Sequence, residues 1–186
     1  MKIDVNSIRV GNVLEYNGKL WSVLKTMHTQ PGKGGAYMQV EMKDVQTGTK
    51  TNVRFRTSEN VEKAHLDTTD WQCINVTDGA ISLMNMENYE QIDISPELFG
   101  ELIPFVKIEM EIKVEFHNDK PISASLPDKV EAIIAECEPV VKGQTATSSY
   151  KPAILDNGVR ITVPPFINQG DKIIVSTVTL EYVERA

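Results

Sequence analysis

Residues 29–36 of this 186-residue chain read Thr-Gln-Pro-Gly-Lys-Gly-Gly-Ala and present a single cation, the ammonium of Lys33. Gly32 and Gly34 flank it, Pro31 stands before and Gly35 after. Glycine on both sides removes neighbouring side chains and permits positive φ. Proline fixes φ on the way in. Together these residues mark a turn or a loop tip. A P-loop would need G-x-x-x-x-G-K-[ST] ahead of a helix. Here no glycine stands five residues before Gly32, Gly34 takes the Ser/Thr place, and an alternating segment follows, so that chemistry is excluded. Schiff-base chemistry would need a buried lysine of depressed pKa, and a glycine-flanked tip offers no burial. Taken alone, the segment reads as an ordinary hairpin turn with a solvated lysine.

The remaining chemistry is sparse. His28, His65 and His117 are scattered, and no H-E-x-x-H, C-x-x-C or G-x-S-x-G motif occurs. Cys73 and Cys137 lie far apart without metal-ligand spacing and read as buried small hydrophobes. These features predict no enzyme activity, no metal and no cofactor. No run approaches the roughly 20 apolar residues of a membrane span. Met1-Lys2-Ile3-Asp4 lacks the apolar stretch of a secretory signal, so a cytoplasmic protein without membrane contact is expected.

Net charge is −7, but its distribution says more than its sum. Residues 1–63 carry +4, residues 64–126 carry −9 and residues 127–186 carry −2. A polyanion is drawn to the first third and repelled by the second. Arg54 and Arg56, outward on an alternating strand in that basic third, are candidate RNA contacts beside Lys33.

The elements that must position Lys33 are short strands. Residues 8–16 have strand character, Asn17-Gly18 is a type I′ hairpin signal, and residues 20–28 return. Residues 37–43 alternate, with Met38, Val40 and Met42 on one face. Val53 and Phe55 then face in while Asn52, Arg54 and Arg56 face out. The Lys33 loop therefore joins two consecutive strands of a small, SH3-like barrel, a rigid base for a projecting side chain. Further strands are expected at 71–77, 81–86, 89–94, 107–117 and 121–126, with one short helix over 96–103 capped by Ser95. In the 107–117 strand Ile108, Met110, Ile112, Val114 and Phe116 are expected to face in. Residues 130–137 fit helix or strand equally. Residues 141–150 read as a polar loop, and strands at 153–155, 159–163, 173–178 and 180–184 close the chain. Many short strands with regular turns argue an all-β chain of two or three small barrels.

Pro31-Gly32-Lys33-Gly34-Gly35-Ala36 at that first tip resembles the modification loop of the bacterial elongation factor P family. The resemblance runs the length of the chain. Met84 to Gln91, Met-Asn-Met-Glu-Asn-Tyr-Glu-Gln, is similar to the family's middle-domain motif. Val163-Pro164-Pro165-Phe166-Ile167, Gly170-Asp171 and Glu181-Tyr182-Val183-Glu184-Arg185 are similar to its C-terminal signature. Initiation factor 5A, the eukaryotic and archaeal relative, lacks the third domain.

The resemblance implies three β-barrels in a tRNA-like L: an SH3-like (KOW-like) domain over 1–63, an acidic OB-like domain over 64–126 and a second OB-like domain over 127–186. It implies a monomer that binds both ribosomal subunits between the peptidyl and exit sites, beside peptidyl-tRNA, and relieves stalling at consecutive prolines. It makes Lys33 the contact to the CCA end and the target of a lysine-modifying enzyme, β-lysylation being one form. Gly143, Gln144 and Thr145 become the loop near the messenger. Three residues depart from the pattern. Leu180 replaces a usual glycine and predicts an altered turn, Gln144 replaces a usual aspartate, and Gln30 stands where some relatives are basic. Two other readings compete: a general RNA-binding or RNA-chaperone barrel protein, and an enzyme using Lys33 covalently.

Overall fold

The computed structural model of the chain describes residues 1–139 and 150–186. Among these, sixteen strands form three sheets, and helix is limited to short 3₁₀ segments. The all-β expectation holds. By the density of internal contacts the chain divides into two compact units, Met1–Thr69 with Val114–Ser123 and Asp70–Lys113 with Ala124–Ala186. The loop expected at 141–150, with Gly143, Gln144 and Thr145, lies outside the described residues except for Tyr150.

The first sheet contains β1 (Lys2–Asp4), β2 (Val13–Tyr16), β3 (Lys19–Thr29), β4 (Tyr37–Asp44), β5 (Lys50–Arg56) and β6 (Asn60–Lys63), in the order β1-β6-β2-β3-β4-β5. Asn17 and Gly18 both take positive φ (51° and 73°), as a type I′ turn requires. The strand expected from Ile8 begins only at Val13. Before it the chain makes a 3₁₀ turn over Val5–Ser7 and a second turn held by Asn12, whose Oδ1 accepts the Arg9 N–H at 3.1 Å. Gly11, at φ 86°, supplies the left-handed step. The core beneath this sheet is Val5, Ile8, Leu14, Val23, Met38, Val40, Met42, Phe55 and Val61. Tyr16 meets Phe55 edge-on with centroids 5.5 Å apart.

The second sheet contains β7 (Asp67–Val76), β8 (Ile81–Asn85), β9 (Gln91–Ile94), β10 (Glu111–His117) and β11 (Lys120–Ser125), in the order β11-β10-β7-β8-β9. Ser95 caps the next segment as expected, accepting the Glu97 N–H at 3.3 Å. That segment is 3₁₀ rather than α and runs over Pro96–Phe105, broken at Gly100, where φ is 54°. The long strand expected over 107–117 is also shortened. Glu109 takes φ 70° and donates its N–H to the Cys73 carbonyl at 2.7 Å, while the Met110 N–H closes a turn onto Lys107 at 3.2 Å. The strand therefore begins at Glu111, and Ile108 is 60% exposed instead of facing in. Alternation of residue type continued past the point where the backbone turned.

The third sheet contains β12 (Lys129–Cys137), β13 (Lys151–Leu155), β14 (Arg160–Val163), β15 (Lys172–Ser176) and β16 (Tyr182–Arg185), in the order β14-β13-β12-β15-β16. Residues 130–137, open between helix and strand in the sequence, are strand. Val130, Ala132 and Ile134 are buried at period 2 while Ile133 is 39% exposed. Cys73 is buried, Cys137 half-buried, and both are free thiols.

One hairpin connection recurs in all three sheets. Asp44, Asn85 and Ser176 each accept, through a side-chain oxygen, the N–H groups of the residues two and three further on. The residue four further on takes positive φ and donates its N–H back to the first carbonyl: Gly48, Tyr89 and Leu180, at 73°, 61° and 57°. Each first residue also donates its N–H to the carbonyl five residues on, at 2.8, 2.7 and 2.9 Å. Leu180 thus takes the same turn as the other two hairpins of this chain, and it does so in the left-handed region that costs a side-chain-bearing residue roughly 1–2 kcal/mol. Leu180→Gly is expected to raise stability by roughly 0.5–1 kcal/mol, strain relief less the lost half-buried contact; chemical denaturation of the two proteins measures it.

Asp44 adds an electrostatic consequence. It is 2% exposed and its carboxylate also meets Lys19 Nζ at 3.2 Å. Burial alone would raise its pKa, but the N–H groups of Gln46 and Thr47 and the Lys19 ammonium outweigh burial and hold it at about 2, below its ordinary 3.8. A depressed folded-state pKa gives stability that is present above the unfolded value and lost as pH falls through the folded one. The Asp44 contribution is therefore complete above pH 3.8 and disappears on acidification toward pH 2. Asp44→Asn, which keeps a side-chain acceptor but no charge, should flatten the acid limb of a melting-temperature profile between pH 5 and pH 2, on the order of a few degrees.

Candidate functional site

Lys33 sits at the tip of the β3–β4 hairpin. The stem beneath it is long and continuous. Strand pairing runs from Trp21↔Asp44 to Thr29↔Tyr37, interrupted between Val23 and Lys25 by an irregularity at Leu24. Such bulges increase local twist. Strand β4 is paired on its other side as well, to β5 from Tyr37↔Arg56 to Lys43↔Lys50. Met38, Val40 and Met42 anchor β4 from below, each burial contributing roughly 1.5–3 kcal/mol. The C-terminal end of the loop is clamped as well: the Thr57 N–H and the Thr57 hydroxyl both donate to the Ala36 carbonyl, each at 3.2 Å.

Between these fixed points residues 30–36 leave the sheet, with Pro31 and Ala36 half-buried and Gly32, Lys33, Gly34 and Gly35 exposed. The Lys33 ammonium has no hydrogen-bond or ion-pair partner among the described residues. The glycines are not equivalent. Gly34 takes φ 114°, which L side chains rarely adopt, although a Cβ there would meet only Pro31 Cγ at 3.9 Å. Gly32 and Gly35 have neither positive φ nor any atom within 4 Å of a Cβ position. Backbone conformation accounts for Gly34; nothing within the described fold accounts for the other two.

The structure brings Arg54 and Arg56 to the same end of the sheet as the tip. Cross-strand partners share a face, so Arg56 lies beside Tyr37 and Arg54 beside Gln39. The Arg54 guanidinium sits over the Tyr37 ring, 5.1 Å from its centroid, a cation–π arrangement. Lys25 shares that outward face through its pairing with Glu41. No ion pair to Lys25, Arg54 or Arg56 occurs among the described residues, and with Glu41 as the acid on that face these three cations leave it net positive. Sequence reasoning missed Tyr37 and Thr57. The first was hidden because the strand register that sets it under Arg54 is not a local property. The second was hidden because its contact spans 21 residues of chain. Among the described residues no group of three or more His, Cys, Asp or Glu could hold a metal ion, and no helix is long and apolar enough to cross a membrane.

Comparison with known proteins places this chain of β modules among the translation factors. Residues 4–61 match the Elongation factor P KOW-like domain, residues 66–124 the Elongation factor P OB domain and residues 130–185 the Elongation factor P C-terminal domain. The chain is similar to the elongation factor P of Zymomonas mobilis, 55% identical over 186 residues covering all of both chains. It is similar to that of Erythrobacter litoralis at 53% identity, again over all of both chains. Among solved structures it shares its fold with translation initiation factor 5A from Methanococcus jannaschii, with a TM-score of 0.55 at 20% identity. That match covers 67% of this chain and 95% of the other. The chain belongs to the elongation factor P family, and with it to the translation elongation factors that work with the ribosome and tRNA.

The glycine analysis has a direct test. Gly34→Ala is expected to cost roughly 1–2 kcal/mol through its φ alone. Gly32→Ala and Gly35→Ala should leave stability unchanged or raise it by about 0.5 kcal/mol, because alanine restricts the unfolded chain. Urea denaturation of the three variants separates these outcomes.

Proposed function

We propose that this elongation factor binds the ribosome as a cytoplasmic monomer between the peptidyl and exit sites, and that Lys33 steadies the CCA end of peptidyl-tRNA when the next bonds to form involve consecutive prolines. The observation that carries this reading is the Lys33 tip itself. It is an unpaired cation held out on a doubly paired, core-anchored strand, in a tip where two of the three glycines, Gly32 and Gly35, lack a side chain for no reason the fold supplies. Slimness without an internal cause has its use outside the molecule, in a site too narrow for side chains.

The chemistry needs no acid or base from the protein. Proline is a poor acceptor because its nitrogen is secondary and its ring fixes φ. Consecutive prolines hold the nascent chain in a poorly aligned path. A factor that immobilises the peptidyl-tRNA end removes entropy from the barrier, and each ~1.4 kcal/mol so gained is tenfold in rate. Lys33 does this after a modifying enzyme has lengthened it, β-lysylation being one such extension. Arg54 and Arg56 supply phosphate contacts that position the domain without reading sequence. Gly143, Gln144 and Thr145 approach the messenger.

Lys33→Ala is expected to fold with stability within about 0.5 kcal/mol of wild type and to bind ribosomes nearly as well. It should lose the ability to speed synthesis through a run of prolines while leaving proline-free messages unaffected. Reconstituted translation of paired reporters measures both. Normal rescue by this variant would sink the Lys33 mechanism. A loss that merely tracks removed charge, equal for Lys33→Ala, Arg54→Ala and Arg56→Ala and indifferent to proline, would favour a general RNA-binding protein instead. Gly32→Val should fold normally yet rescue at least tenfold more slowly, by bulk in the confined site.

A further inference from the structure

Two hairpins of this chain turn on the same dipeptide, Asn17-Gly18 between β2 and β3 and Asn157-Gly158 between β13 and β14. Asparagine before glycine is the pair most open to spontaneous deamidation, because glycine puts no side chain in the way of its own nitrogen. In that reaction the glycine nitrogen gives up its proton and attacks the asparagine Cγ. A C–N bond forms, the side-chain amide leaves as ammonia, and a cyclic succinimide results. Water then opens the ring at one carbonyl or the other. One opening leaves aspartate. The other leaves isoaspartate, in which the main chain runs through Cγ and is one carbon longer. Water is the only co-reactant, and nothing is oxidised or reduced.

The two sites share the dipeptide and differ in what holds its atoms. At the second, both reacting groups are engaged: the Gly158 N–H donates to the Leu155 carbonyl at 2.9 Å, and Asn157 Oδ1 accepts the Val159 N–H at 3.1 Å. Asn157 is also half-buried. At the first, neither group is engaged. Asn17 and Gly18 are exposed, and neither the Asn17 side-chain amide nor the Gly18 N–H has a hydrogen-bond partner among the described residues. The pair Tyr16↔Lys19 ends the ladder and leaves both turn residues outside it. Attack at Asn157 must first open two bonds, at a free-energy cost; attack at Asn17 opens none.

We infer that Asn17 is a modification site at which the folded protein deamidates, while the turn around Asn157 keeps that residue intact. The product bears on the first sheet. Aspartate adds a negative charge to the basic first third. Isoaspartate adds a carbon to a two-residue turn, where loop length sets the register of the strands. That register places Tyr16, whose carbonyl accepts the Trp21 Nε1–H at 3.0 Å and whose ring meets Phe55. Neither the site nor the step depends on the role of Lys33.

The test incubates folded protein at mildly alkaline pH, digests it at mildly acidic pH and follows the two Asn-Gly peptides by mass. Asn17 should gain one mass unit at least about fivefold faster than Asn157. In the urea-unfolded chain the two rates should converge, because the protection is structural. Aged protein should accept methyl groups from S-adenosylmethionine through an isoaspartate-specific methyltransferase, and freshly prepared Asn17→Asp should not. The isoaspartyl form, separated by chromatography, should melt below Asn17→Asp, which carries the charge without the longer backbone. Equal rates in the folded protein overturn the site, as does faster loss at Asn157. A difference that persists in urea also overturns it, since it would belong to the flanking sequence. Equal melting of the two acidic forms overturns the effect on the sheet.

Discussion

Everything proposed for Lys33 depends on the hydrogen-bonded register of β4, which is paired on both sides at the very end where the loop begins. Tyr37 is held simultaneously to Thr29 and to Arg56, and the next residue, Met38, is buried. A flexible tip can deliver a long side chain to a defined place only if the flexibility stops abruptly at its base. The bonds from Thr57 to the Ala36 carbonyl extend that hold one residue further into the loop. The glycines then act on a short span, and their freedom does not spread into the sheet. The same register carries Arg54 and Arg56 to the outward face near the tip, so one set of backbone bonds positions both the base of the Lys33 loop and its electrostatic surroundings.

The site was legible where its determinants are local. Asn17-Gly18, the alternation from Met38 to Met42 and the Gly-Lys-Gly-Gly tip all act within a few residues, and strand, turn and loop formed where those signals lay. Legibility failed where long-range pairing decided the outcome. The Cys73 backbone captures Glu109 and Met110 and ends a strand whose residue pattern would have continued. Strand β12 chose period 2 because neighbours on both sides offered ladders, a fact absent from its own eight or nine residues. The short strands β1 and β6 pair with each other across nearly the whole first domain and left no separate local mark. Arg54 and Arg56 were found because they alternate with buried residues; Tyr37 was not, because its role depends on a diagonal neighbour in another strand.

The recurring capped hairpin shows how a fold can be reused with different emphasis. An acid, an amide and a hydroxyl at Asp44, Asn85 and Ser176 satisfy the same two backbone donors, so the choice among them is free for other purposes. At Asp44 the choice of an acid adds a buried carboxylate and an acid-sensitive ion pair with Lys19. At the left-handed position the choices are Gly48, Tyr89 and Leu180, and the residues with side chains are the ones that call for a reason beyond the turn. Charge follows a similar division of labour: the basic first third suits RNA, and the cation-free stretch from residue 64 to 106 does not.

The most direct test of the central claim is the mass of the peptide containing Lys33, taken from protein purified from its own cells and shown to be active. A lysine that reaches the CCA end through an added group predicts extra mass localised to Lys33. A fully active native protein whose Lys33 carries no added mass would contradict it.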